Sequence, residues 1–265
     1  MNIFLRELKA HRKSLIIWCI CMVFLIAASM GKYEGLSSSG QSMSELLNDF
    51  PKSLKAIFGM GTFDIAKVSG YFAVMFLFIQ LMAAVHAAML GADIISKEER
   101  DKTSEFLFVK PVSRTSIISS KLSAALVNVV ILNLVTFISS LALVGKYSKG
   151  EAVSGDITKL MIGMFIVQLI FMSVGSGIAA ISKNPKTATA VSTGILLTTF
   201  ILAELIDVSG KIDFLKFLTP FKYFSPDTLM YGGAFGLGFL AFSVLIIAVT
   251  FGMTYKFFSA RDLRI

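Results

Sequence analysis

The side chains able to do chemistry lie in unusual places. Gln80, His86 and Asp93 fall inside one long apolar run, residues 71–96, and Glu204 lies near the end of another, residues 187–206. A charge inside such a run costs about 2.5–3.5 kcal/mol even on the lenient insertion scale, so a polar group there is a functional candidate by default. Gln80, His86 and Glu204 are accordingly the candidate substrate-pathway residues. A structural role competes at each position. His86 can be neutral and hydrogen-bonded to another helix, and Asp93 is close enough to the end of its run to reach water or a basic neighbour. Glu204 lies about one turn from Asp207; it either faces the interior, where it can touch a polar part of a substrate, or is an interfacial acid.

Other chemistries find little support. Cys19 and Cys21 are the two cysteines, and at spacing i, i+2 on a helix they point to different faces, which disfavours a disulfide or a metal clamp. They read as small core residues. His11 and His86 are too few and too far apart for a metal site by spacing. The phosphate-cradling pattern G-x-x-x-x-G-K-[ST] does not occur: Gly31, Gly145 and Gly210 each precede a lysine, but Tyr or Ile follows and the upstream glycine is missing. With no paired nucleophile and base, the chain does not read as an enzyme, and any ATP-driven activity needs a second chain.

The elements that position these groups follow from composition. Over 265 residues the apolar share is 55%, the mean hydropathy is +0.77 and the charged share is 16%, which places the chain among integral membrane proteins. Its net charge of +8 comes from basic residues flanking apolar runs. Topology and attraction to anionic lipid head groups explain that excess more simply than nucleic acid.

The expected architecture is all-α, a single transmembrane domain over 1–265 with six spans at 14–30, 71–96, 117–144, 160–182, 187–206 and 234–257. Residues 1–13 place Phe4, Leu8 and His11 on one stripe, continued by Leu15, with Arg6, Glu7, Lys9, Arg12 and Lys13 opposite, which predicts an amphipathic interface helix. A secretory signal is the competing reading, since Ala27, Ala28 and Ser29 follow a basic segment and an apolar core. The first span is slightly short for a hydrocarbon core of about 30 Å, a gap that snorkelling by Lys13 and Lys32 can cover. Residues 31–70 lie outside, with a short surface helix starting near Pro51 and stopping at Gly59. Ser173 with Gly177, and Gly175 with Ala179, permit close helix packing in the fourth span. Residues 208–231 are apolar but broken by Gly210, Pro220 and Pro226, and read as a re-entrant or outer-mouth segment.

The segment between the second and third spans orients all of this. Lys97, Arg100, Lys102, Lys110, Arg114 and Lys121 crowd around residues 97–116, a density that marks the cytoplasmic side. With both chain ends on that side, the inner segments hold 15 of the 25 basic residues, over shorter stretches than the outer ones. Asp101 or Thr103 can cap a short helix carrying Phe106, Leu107 and Val109, with Glu105 near its positive start. Pro111 closes the turn, and Ser113 can cap the next helix.

Read in order, Gly91, Ile94, Ile95, Glu98, Glu99, Thr103, Glu105, Leu107, Pro111, Val112, Ser113, Arg114 and Lys121 resemble the loop between the second and third spans of type 2 ABC exporter permeases. Leu218, Pro220, Phe221, Tyr223 and Phe224 resemble that family's segment before its last span, and Phe258, Arg261, Asp262 and Leu263 its C-terminal signature. The resemblance implies that residues 97–116 are a coupling loop docked on a cytoplasmic ABC ATPase subunit, with Glu98, Glu99, Thr103, Glu105, Phe106, Leu107, Pro111 and Arg114 as the ATPase-coupling residues. It also implies a cell-membrane location, a second permease copy or paralogue, and ATP and Mg held by the partner subunit. A lipid, an amphipathic peptide or a hydrophobic drug would suit a lining drawn from 24 Phe and 13 Met residues. The alternatives are a secondary transporter or channel, expected to carry more ionisable sites at mid-membrane, and a membrane-bound toxin-immunity scaffold that moves nothing.

Overall fold

The computed structural model describes residues 3–38, 63–101, 112–148 and 150–260. Six long helices dominate: α1 Ile3–Ser38, α2 Val68–Arg100, α3 Arg114–Tyr147, α4 Ser154–Ile181, α5 Ala188–Ser209 and α6 Leu237–Ala260. Each contains a stretch long and apolar enough to cross a membrane. The protein is an all-α, multi-pass membrane protein, the architecture expected where backbone groups must be satisfied without water.

Local chemistry sets several boundaries. Ser113 caps α3, its Oγ accepting from the Ser116 backbone N–H at 3.2 Å. Gly210 ends α5 in the left-handed region at φ 59°, a conformation that glycine adopts without steric cost. The α4–α5 turn closes where Asn184 Oδ1 accepts from the Lys186 backbone N–H at 3.1 Å.

Residues 3–13 run without a break into the first span. The resulting 36-residue helix is about 54 Å long at 1.5 Å per residue, longer than the hydrocarbon core, while its apolar stretch remains bounded by Lys13 and Lys32. One expectation on this helix is overturned: Glu7 is not on its polar outer face but fully buried. It stands one turn from both Ile3 and His11, which are also buried, so the inward face includes a charge at its edge.

The centre of the bundle is the α2–α4 crossing. A methyl built on Gly91 would lie 2.1 Å from the Met172 carbonyl oxygen, and one on Gly175 would lie 2.4 Å from that of Ala88. Only glycine permits this backbone approach. Against this pair α5 packs on α2, α6 packs on α4, and α1 packs on α3. Ser176 and Thr254 hydroxyls join α4 to α6 at 3.1 Å. The outer helices keep one apolar face uncovered, including Ile17, Ile20 and Phe24 on α1, Ile195 and Ile201 on α5, and Val244 and Leu245 on α6. Cys21 is exposed and Cys19 partly so, both as free thiols. The reading as core residues is therefore corrected for Cys21, which falls on the uncovered side of the peripheral α1, while Cys19 packs against the main core.

Between α5 and α6 the chain forms short helical turns at Asp213–Leu218, Pro220–Lys222 and Pro226–Leu229. Phe221, Tyr223, Phe224 and Leu229 are buried, whereas Phe214, Phe217 and Leu218 are exposed. Phe221 lies 5.3 Å, ring to ring, from both Phe171 and Phe200, and Tyr223 stacks on Phe239 at 4.9 Å. The broken backbone is thus packed on helices α4, α5 and α6. The short helix expected near residues 51–59 lies outside the described residues, as do Arg261, Asp262 and Leu263.

Candidate functional site

The start of α1, both feet of the α2–α3 connection, the α4–α5 turn and the end of α6 share one end of the bundle, here termed the charged end. On α2, Ile94 and Glu98 are one turn apart and present a carbonyl and a carboxylate on one side. Lys121, two turns into α3, reaches both, with Nζ 2.5 Å from Ile94 O and 2.5 Å from Glu98 Oε2. Its side chain is fully buried. The other Glu98 oxygen accepts from Arg6 Nη2 at 2.8 Å, and the same guanidinium donates to Glu7 Oε1 at 2.7 Å. Lys97 Nζ stands 3.8 Å from Glu7 Oε2. A continuous chain of alternating charge, Glu7–Arg6–Glu98–Lys121, therefore clamps α1, α2 and α3 together where the central loop leaves the bundle.

A second set of contacts holds the far foot of that loop. Arg114, first residue of α3, donates from Nη1 to the Ser259 carbonyl at 3.0 Å, and Ser119 Oγ and Tyr255 Oη are 2.8 Å apart. The start of α3 is thereby tied to the end of α6. On the near foot Arg100 pairs with Asp93, two turns back on α2, and with Asp101 at 3.1 Å. Displacement of either foot must pull on at least one further helix. Burying these ions is expensive, and the arrangement persists only because each charge has a partner.

Beside the ion chain lies a cavity of about 310 Å³, bordered by residues of α1, α2, α3 and the α4–α5 turn, including His11, Trp18, His86, Asp93 and Lys186. Trp18 meets His86 edge-on, with ring centroids 5.4 Å apart.

Of the three pathway candidates, only His86 lines this cavity. Gln80 is buried in the helix core, its Nε2 without a hydrogen-bond partner among the described residues. Glu204 belongs to the opposite end, three residues before Asp207, which pairs with Lys222; its Oε2 is likewise buried without a hydrogen-bond partner. The three residues are not brought together. Among the coupling residues, Glu98, Glu99 and Arg114 stand at the loop's two feet, while Thr103, Glu105, Phe106, Leu107 and Pro111 lie outside the described residues.

Sequence reasoning missed the role of Glu7, Arg6 and Lys121 as a buried ionic unit. Lys121 carried a usable signal, since it falls four residues inside the expected third span, where a charge requires a partner. Arg6 and Glu7 carried none, because their partners across the bundle, Glu98 for Arg6 and Lys97 for Glu7, lie far away in the sequence. Among the described residues no group of three or more metal-ligating side chains assembles.

A family model described as ABC-2 family transporter protein matches residues 1–263. No curated protein matches the chain.

Proposed function

The chain belongs to the ABC-2 family of transporter proteins, whose permeases are membrane components of transporters, and on that premise we propose that it is the permease subunit of an ATP-driven exporter, worked by a separate ABC ATPase. ATP and Mg belong to the ATPase, and residues 97–116 dock on it from the cytoplasmic side, where both chain ends also lie. Two such permeases, identical or paralogous, form the pathway, and a lipid, an amphipathic peptide or a hydrophobic drug passes along the face between them.

The observation that carries this reading is the double anchoring of the α2–α3 connection. Its α2 foot is locked to α1 and α3 through Arg6, Glu98 and Lys121, and its α3 foot to α6 through Arg114 and Ser259. A push on the loop is then delivered to four helices at once rather than absorbed by a flexible hinge. Rigid-body movement of packed elements about an interface is one of the established ways in which a switching transition is transmitted.

Proteoliposomes containing the permease and its ATPase test the proposal with three cargoes: a fluorescent phospholipid, an amphipathic peptide and a lipophilic dye. At least one should move with ATP and stop when the P-loop lysine of the ATPase is replaced. Flux indifferent to ATP would favour the secondary transporter or channel. No flux at all would favour the scaffold.

A further inference from the structure

The cavity at the charged end has a chemically organised lining. Along α2, His86 and Asp93 are separated by seven residues, about 10 Å, so the space runs from a charged mouth to a deeper polar floor. At the mouth stand Lys186 and Arg100. Arg100 is shared between Asp93 and Asp101, so Lys186, which is exposed, is the cation at the mouth left without a carboxylate among the described residues.

Deeper in, His86 is 4% exposed and its Nδ1 has no hydrogen-bond partner among the described residues; the Nε2 of His11, 9% exposed, is in the same condition. Buried polar atoms are ordinarily paired, so the unpaired His86 nitrogen calls for a ligand group that can hydrogen-bond, whereas His11 Nε2 faces Glu7 Oε2 at 3.8 Å. One wall is apolar, formed by Leu15, Trp18, Met89 and Leu90. At about 310 Å³ the space matches the lower end of small-molecule sites, about 300–1,000 Å³.

We infer that this cavity, within a single chain, binds an anionic amphiphile: its phosphate or carboxylate meets Lys186 and Arg100, its ester or amide meets His86, and its tail leaves along Leu15 and Trp18. The inference does not depend on the ATPase or on a second permease. The same chemistry could arrive from the bilayer as an anionic phospholipid or from the aqueous side as a soluble amphiphile.

Trp18 is the chain's one tryptophan and borders the cavity, so intrinsic fluorescence reads this site directly. The full chain in phosphatidylcholine nanodiscs is titrated with dodecyl phosphate below its micelle threshold and, separately, prepared with rising fractions of phosphatidylglycerol; dodecanol is the neutral control. A saturable change in Trp18 emission with either anionic probe is expected, with half-saturation raised about tenfold in Lys186→Gln and changed less than twofold in Lys183→Gln, a neighbour in the same turn that does not line the cavity. His86→Leu should weaken the response while circular dichroism and elution volume stay as in wild type. A response to phosphatidylglycerol alone assigns the ligand to the bilayer, and one to dodecyl phosphate alone assigns it to the aqueous side. An equal response to dodecanol, no response to either anionic probe, or unchanged half-saturation in Lys186→Gln would overturn the inference.

Discussion

Lys121 of α3 and Glu98 of α2 form an ion pair 2.5 Å long in which the ammonium is wholly removed from solvent. A lysine in that position has no way to reach water by snorkelling, so its charge is held by hydrogen bonds to Glu98 and the Ile94 carbonyl, with the Glu7 carboxylate close enough to feel it. Arg6 on the other Glu98 oxygen makes this a three-helix fastening at the foot of the central loop.

Removing one partner is therefore worse than removing both. Glu98→Gln should destabilise the folded protein by about 3–5 kcal/mol, because Lys121 is left as an uncompensated buried charge. Adding Lys121→Met should recover a substantial part of the loss. Thermal unfolding of the two single variants and the double variant in one detergent gives the coupling; additive losses would contradict the fastening.

The loop's other foot is held at the edge of the bundle. Arg114→Ala removes the hydrogen bond to the Ser259 carbonyl, a loss worth about 0.5–1.5 kcal/mol, and should separate the movement of α3 from that of α6. The measurement is ATP hydrolysis beside cargo flux in proteoliposomes: flux per ATP should fall severalfold while complex yield stays near wild type. A proportional fall in both would show a folding defect instead.

The α2–α4 crossing makes a sharper steric prediction. Gly91→Ala places a methyl against the Met172 carbonyl and should cost about 1–3 kcal/mol or more, as overpacking does. Gly31→Ala in α1 meets nothing within 4 Å and should be neutral or stabilising by up to about 1 kcal/mol through helix propensity. Melting temperatures of the two variants should move in opposite directions or differ clearly in size.

At the opposite end, burial pushes the Tyr223 phenol up to about 12, and its hydroxyl donates to the Phe217 carbonyl. The folded state thus favours the neutral phenol more than the unfolded chain does. The stability this supplies is complete below about pH 10 and lost as pH rises toward about 12. Thermal melts at pH 9 and pH 11.5 should show a steeper loss for wild type than for Tyr223→Phe; equal slopes would contradict this environment.

How much of this could be read in the sequence depends on the range of the interaction. Six spans, the capping by Ser113 and the close packing at Gly175 are local signals, carried by hydropathy, hydrogen-bonding side chains and small residues. The clustering of basic residues between the second and third spans marks the cytoplasmic side, whereas Glu98, Glu99 and Arg114 stand out only through the family resemblance of that segment. The placement of Glu7 was not legible: the sequence reads it on the polar face opposite Phe4 and Leu8, and it is buried because Arg6 and Lys97 compensate its charge. Nor could hydropathy tell that His86 borders a cavity while Gln80 does not, since both are polar breaks in the same apolar run. That difference arises from which helix each side chain faces.

The central claim, that this chain is the membrane half of an ATP-driven machine, is tested most directly by what accompanies it out of the membrane. The tagged protein is purified in mild detergent as wild type and as Glu105→Ala with Phe106→Ala, and the accompanying chains are identified by mass spectrometry. The account predicts a P-loop ATPase with wild type that is lost from the variant at equal permease yield and folding. Wild type recovered without any ATPase, under conditions that preserve known membrane complexes, would contradict it.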